Sequence, residues 1–507
     1  DGLNNGGNSL IIQNISTSNA NGTSTIKFTG DAQNNIITNC TVLGSATVNI
    51  SAGDAGGNIW FATGIVNGND NNTISNCNIG NAAAGLPVRL IYSSGSVANA
   101  AQNNSGINIS NCNLYDCFST ATAARMIDIS SGSTDFTISG NRFYETDARA
   151  QSAGTELRVI SISNTVSGNN FLVTGNTIGY SSSNSSGVFS LSGVQGTSFI
   201  PVYINNANSV ASVVSGNSIS AINISGALSG TGSSAPFTGI LVASGSGAVN
   251  ISGNTIGAAS GTGSVFISSS GALATDVNGI YTASSGTNIT GNTIGSVTAG
   301  STAASPFLVF GIRASTSASS TVNISSNNIG STTTAASVSN TTVSSSARLT
   351  GIQNDAAVNF TINSNIIANL SSAATNTSTV MPAVAGIRQA ASYSSVFTGS
   401  VSNNTISSLA ATDLSAGTVV TGIYITGSVV AGTSVTVSKN FIHSFSNSSS
   451  NSFAEIRGIN IVSGTAAYQN NMVRMGIDAA GNSLANNLTI YGIYEAGGSN
   501  SIYYNTV

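Results

Sequence analysis

The chain has 507 residues, of which 40% are apolar and only 6% charged, with a formal net charge of −4. Twelve Lys and Arg residues leave no basic footprint for nucleic acid, and the apolar content argues against disorder. No apolar run approaches the roughly 18 residues of a membrane-spanning helix.

Read from the N-terminus, one short phrase returns fourteen times, at intervals of 29 to 41 residues. The first three copies centre on Cys40, Cys77 and Cys112. The rest centre on Asn141, Asn176, Asn217, Asn254, Asn292, Asn327, Asn365, Asn404, Asn440, Asn471 and Asn505. The cleanest copy is Ile251-Ser252-Gly253-Asn254-Thr255-Ile256-Gly257. Such a period belongs to solenoids and arrays, in which each unit packs only on its neighbours.

Three short apolar runs are predicted in each repeat. The first opens with Gly-Ile, as in Gly279-Ile280-Tyr281 or Gly422-Ile423-Tyr424. The second alternates, as in Val249-Asn250-Ile251, and the third follows the Asn at once, as in Thr255-Ile256. Alternation with period two marks strands with one buried face, and runs of three to five residues are too short for helices. The expected fold is therefore all-β: a right-handed parallel β-helix of about 14 coils, three strands per coil. Between the second and third strands the chain must turn within two residues, which suits Gly and Asn because both tolerate the left-handed region. Asn side chains stacked coil on coil would form a hydrogen-bonded ladder along that corner. Longer connections after the Asn, such as 261–270 and 331–346, are expected to be surface loops or an irregular extra strand.

Residues 1–507 are expected to form one continuous domain. The chain starts without Met, shows no leader and stops inside the repeated phrase, so it is expected to be a section of a longer polypeptide.

Several groups of residues are candidates for chemistry. The three Cys residues read as small thiols replacing Asn in the ladder, or as partners in a bridge with one another or with Cys117. No CxxC or Cys/His set is present, so no metal or cofactor is expected. His443, the single His, has no partner at a catalytic spacing. Residues 125–158 hold nine of the 28 charged residues, among them Arg125, Asp128, Glu145, Arg149, Glu156 and Arg158. The residue after each Gly-Ile pair should point outward if Ile points in. This gives a stripe of Tyr281, Arg313, Gln353, Arg388, Tyr424 and Tyr494, planar donors and aromatics at a fixed pitch. The variant strands would extend it through Lys27, Val66, Tyr92, Asp128, Ser161 and Asn205. A Thr column after the ladder Asn, at 177, 255, 293, 405 and 506, would suit ice, but Arg142, Ile366, Phe441 and Met472 interrupt it.

The Gly-Asn corner resembles the asparagine-ladder turn of the pectate-lyase-like β-helix superfamily, along almost the whole chain. That superfamily includes lyases, hydrolases, tailspikes and inert surface proteins. Closing phrases such as Ser501-Ile502-Tyr503-Tyr504-Asn505-Thr506-Val507, with the Ser/Thr/Asn/Gly-rich repeats, also resemble giant repetitive surface proteins of Bacteroidetes-type bacteria, many of them exported by the type IX system. The function these features imply is a non-catalytic extracellular or cell-surface rod, structural or adhesive, contacting an extracellular polysaccharide or a cell-envelope protein through the stripe. The alternative is a polysaccharide lyase or glycoside hydrolase at residues 125–158.

Overall fold

Short Val- and Ile-rich strands pair in parallel with their counterparts one turn away, and the register repeats along the chain. The computed structural model describes residues 1–4, 7–207, 210–315, 321–355, 359–390, 396, 398–427, 430, 432–484 and 487–507. It is a parallel β-solenoid of about 13 turns, with three main sheets and almost no helix. The chain divides into two compact units, Asp1–Ile224 with Thr238–Asn254, and Ser225–Phe237 with Thr255–Val507.

In the first unit the second sheet stacks Ile74, Ile109, Ile138, Val173, Val214 and Ile251 in one inward column. All six are fully buried. Large rings fill the remaining space: Phe28 stacks on Phe61 at 4.6 Å, and Phe61 meets Phe136 edge-on. In the second unit the first sheet stacks Ile280, Ile312, Ile352, Ile387, Ile423, Ile459 and Ile493. The third sheet stacks Ile294, Ile329, Ile367, Ile406, Ile442 and Val473. Apart from the half-buried Ile493, each of these buried side chains contributes about 1.5–3 kcal/mol of transfer free energy.

The glycine of the Gly-Ile strand is there for close packing. A Cβ at Gly311 would lie 2.6 Å from the Gly351 carbonyl oxygen and 2.7 Å from Ile329 Cγ2. The third-sheet isoleucine thus rests directly on first-sheet backbone, and Ala at this place would push the two sheets apart.

The left-handed residue at the corner is the one before the ladder position. In the first unit it is Asn39, Asn76 and Asn111 before the cysteines and Gly140, Gly175, Gly216 and Gly253 before the asparagines, with φ of 52° to 65°. In the second unit it is Gly291, Ser326, Ser364, Asn403, Lys439, Asn470 and Tyr504, with φ of 55° to 64°. The ladder itself forms as expected. The backbone N–H and Nδ2 of Asn141 both donate to Asn176 Oδ1 at 3.0 Å, while Nδ2 also donates to the Ile109 carbonyl. The same pattern links Asn176 to Asn217 and Asn217 to Asn254. In the second unit it runs from Asn292 through Asn327, Asn365, Asn404, Asn440 and Asn471 to Asn505.

The longer connection holds a fourth, short strand in many turns. It pairs Arg149–Ala150 with Phe189–Gln195 in the first unit. In the second unit it runs from Val265–Ser269 through Val297–Ser301, Val338–Asn340, Leu370–Ser372 and Ala410–Ala411 to Ser446–Asn447. Three strands per turn is therefore the minimum. Among the described residues no helix is long and apolar enough to cross a membrane.

Candidate functional site

The cysteine column continues the ladder with weaker acceptors. Cys112 N donates to Asn141 Oδ1 at 2.9 Å, and Cys77 N donates to Cys112 Sγ at 3.4 Å. Each thiol in turn donates to the carbonyl two residues back: Cys40 to Thr38, Cys77 to Ser75 and Cys112 to Ser110. Cys40, Cys77, Cys112 and Cys117 are all buried and free, so no bridge forms. Sequence reasoning missed two further Asn–Asn steps at another corner. Asn35 N–H and Nδ2 donate to Asn72 Oδ1 at 2.9 Å, and Asn69 donates likewise to Asn104. Their signal spans too few turns to stand out as a repeat.

Six of the nine charged residues of 125–158 join two ion-pair networks in the first unit, whereas Asp135 pairs with Asn170 and Arg142 and Asp147 are exposed. In one, Arg89 Nε lies 2.8 Å from Asp128 and Arg125 lies 3.2 Å from the same carboxylate. Arg125 continues to Glu156 at 2.5 Å, which also pairs with Arg158 at 2.6 Å. Burial opposes charging of Arg125, but Asp128 and Glu156 hold its guanidinium above its ordinary pKa. Burial likewise works against the Glu156 carboxylate, yet Arg158 and Arg125 hold it below its ordinary value. In the other network Arg149 bridges Asp116 at 2.5 Å and Glu145 at 2.6 Å. Glu145 is fully buried and also accepts from Cys117 N at 3.0 Å. Burial raises its pKa to about 7, against the pull of Arg149. Asp128 is only 1% exposed, so this cluster does not turn a free carboxylate toward solvent at either buried position.

The stripe after Gly-Ile exists as a register. Tyr281, Arg313, Gln353, Arg388, Tyr424, Asn460 and Tyr494 are successive partners along the first sheet of the second unit. Its expected openness is overturned. Gln353 and Tyr424 are 1% exposed, and Tyr281 and Arg388 are also buried. Arg313 keeps 18% of its side-chain surface, and Tyr494 is half-buried. The cause lies in irregular segments that fold over this face. The Gly232–Ser234 turn covers Asp276, Asn278 and Tyr281, and residues 379–381 cover Arg388 and Asn460.

The column in the first unit also differs from the expectation at two places. Lys27 is followed by Trp60, Tyr92, Asp128, Ser161 and Tyr203. Val66 lies outside the strand and Asn205 sits two residues further along. Cations stack on rings of the next turn, Lys27 over Trp60 at 4.1 Å and Arg158 over Tyr203 at 3.5 Å, or of the same strand, Arg89 over Tyr92 at 4.0 Å. In the second unit Arg388 lies over Tyr424 at 5.0 Å and Arg457 over Tyr494 at 3.8 Å. These contacts rigidify the face and use up much of the stripe's binding chemistry internally.

Beside the 379–381 segment opens a cleft of about 370 Å³, lined by Thr377, Thr379, Val419, Asn451, Phe453 and Glu455. Phe453 is 80% exposed at its rim. His443 stacks on Phe441 at 4.2 Å and its Nδ1 pairs with the Ser444 hydroxyl. Burial, then Arg474, lower its pKa. Among the described residues no group of three or more His, Cys, Asp or Glu is placed to hold a metal ion. Comparison with protein-family models, with curated proteins and with solved structures yields no match.

Proposed function

We propose that this chain is a non-catalytic extracellular element, structural or adhesive, of a bacterial secreted or cell-surface repeat protein. It is read as a pectate-lyase-like β-helix in form and as akin to the giant repetitive surface proteins exported by the type IX system. Its partner is an extracellular polysaccharide or a cell-envelope protein. The observation that carries this reading is the state of the charged cluster. Asp128, Glu145 and Glu156 each bind one or two arginines at 2.5–3.2 Å, and Asp128 and Glu145 are buried. A general acid or base needs reach to substrate; Asp128 and Glu145 are buried beneath their arginine partners and lack that reach.

The test sets binding against turnover. The chain is incubated with cell-envelope polysaccharides and with uronate-containing and neutral glycans, and both retained polymer and new chain ends are measured. Retention without cleavage is the expected result. Cleavage that is abolished by Asp128→Asn would replace this reading with the lyase or hydrolase alternative. Neither retention nor cleavage, with no envelope protein captured, would leave the chain as a spacer alone.

A further inference from the structure

The segment that covers Arg388 also helps to form a cleft. It leads into the strand Val384–Gln389, yet the Thr379 carbonyl accepts from Asn460 Nδ2 at 3.0 Å, on a strand two turns further along. This leaning segment lines a cleft of about 370 Å³ with Thr377 and Thr379. The connections of the next two turns add Gly417, Asn451 and Phe453, and the strands that follow them add their first residues, Val419 and Glu455. The volume lies at the small end of ligand clefts, about 300–1,000 Å³, so it admits a short stretch of a chain.

Phe453 is 80% exposed, but its backbone is held. Its N–H donates to Asn451 Oδ1 at 2.9 Å, Asn451 Nδ2 donates to the Ser415 carbonyl at 3.0 Å, and a Cβ on Gly417 would lie 2.9 Å from Phe453 Cβ. A bare ring on a fixed backbone is a platform, and its negative face attracts the weakly positive C–H groups of a sugar ring. The polar groups beside it are unspent. Both Arg457 contacts fall on Glu455 Oε2, at 2.7 and 2.5 Å, so Oε1 accepts no bond among the described residues. The Thr377 and Thr379 hydroxyls make none among them either. Charge selects the ligand: the described lining holds one carboxylate and no Lys or Arg, so an acidic sugar is repelled. An extended peptide finds no free strand edge, because Val419–Thr426 and Glu455–Ser463 are each paired on both sides. Sugar hydroxyls, which donate and accept at once, match a carboxylate oxygen beside two threonines.

We propose that this cleft binds a short stretch of neutral polysaccharide, one sugar ring stacked on Phe453 and its hydroxyls bonded to Glu455 Oε1, Thr377 and Thr379. This rests on the polysaccharide reading above and narrows it to one cleft and one ligand class.

The experiment is isothermal titration of the whole chain with neutral oligosaccharides, cut from glucan, mannan and xylan, and with oligouronates of equal length. One neutral set should bind at least tenfold more tightly than the oligouronates, with an affinity that salt leaves unchanged. Phe453→Ala should weaken that binding at least tenfold and Phe453→Tyr less than threefold, and both should melt as the wild type because the ring is exposed. Glu455→Gln, which removes the repelling charge and keeps an acceptor, should raise oligouronate binding at least threefold. Neutral binding that Phe453→Ala leaves intact, a wild type that prefers oligouronates, or an unchanged preference in Glu455→Gln overturns this site while the polysaccharide reading stands. A wild type that binds no oligosaccharide overturns the site, and if it also retains no envelope polymer, the polysaccharide reading falls with it. Binding of an apolar peptide instead, lost in Phe453→Ala, assigns the cleft to a protein partner and overturns the proposal.

Discussion

Replacing Asn365 by Leu should release the ladder at one turn, and the size of the effect follows from its bonds. Asn365 is fully buried. Its Oδ1 accepts from Asn327 N and Nδ2, both at 3.0 Å, and its Nδ2 donates to the Ile324 carbonyl at 3.0 Å and to Asn404 Oδ1 at 2.9 Å. Leu would leave the Asn327 N–H and the Ile324 carbonyl buried and unpaired. Each orphaned group costs about 1–3 kcal/mol, and the added apolar burial offsets part of that. The net expectation is about 3 kcal/mol. Asn365→Cys should cost only about half as much, because a thiol accepts weakly and Cys112 already plays this part, taking the Cys77 N–H at 3.4 Å. Amide hydrogen exchange at Asn327 is the direct assay, since local opening there is what the variant changes. At 1.4 kcal/mol per factor of ten, about 3 kcal/mol accelerates exchange more than a hundredfold. Global melts serve as a control, because repeat arrays depart from two-state behaviour. Unchanged exchange at Asn327 in the Leu variant, or equal acceleration by Cys and Leu, would refute the reasoning.

Three other outcomes are expected. Lys439 is exposed at φ 57°, where an L-residue costs about 1–2 kcal/mol and glycine loses about 0.5–1 kcal/mol of that to chain entropy. Lys439→Gly should therefore raise stability by about 0.5–1 kcal/mol in denaturant titration, and a loss would contradict the corner assignment. Glu145 keeps its proton to about pH 7 when folded but only to its ordinary value of 4.5 when unfolded. The folded state then binds more protons between those values, so its contribution is full below about pH 4.5 and lost as pH rises through about 7. Melting of the wild type should fall across that window and the slope should flatten in Glu145→Gln; an identical slope in both would remove Glu145 as its cause. Finally, alkylation after unfolding should label Cys40, Cys77, Cys112 and Cys117 alike, and reductant should leave the melting temperature unchanged. A bridged peptide in the mass spectrum would contradict the free-thiol column.

The ladder and the strand pattern were legible in the amino-acid order because both are local and repeated. Each repeat places Asn, or Cys at 40, 77 and 112, at the same corner, so one chemical demand recurs at one period. The αL demand was legible too, through Gly253 and Gly291. It was hidden where Ser326, Ser364 and Lys439 meet it, because these residues accept the strain without announcing it. The Gly of the Gly-Ile strand was visible, but its cause, the third-sheet isoleucine resting on it, lies across the coil. The fate of Tyr281, Gln353, Arg388 and Tyr424 was decided only by the tertiary structure. Strand alternation correctly placed them opposite the core, yet residues 232–234 close over Tyr281 and 379–381 over Arg388, segments that obey no repeat, while Gln353 and Tyr424 are buried beside Asp355 and Arg388. The same holds for charge: nothing in the spacing of Arg89, Asp128, Arg125 and Glu156 says that they meet within 2.5–3.2 Å. Periodic packing is dictated turn by turn from the sequence, whereas the covering of an outer face depends on where unrelated, aperiodic loops come to rest.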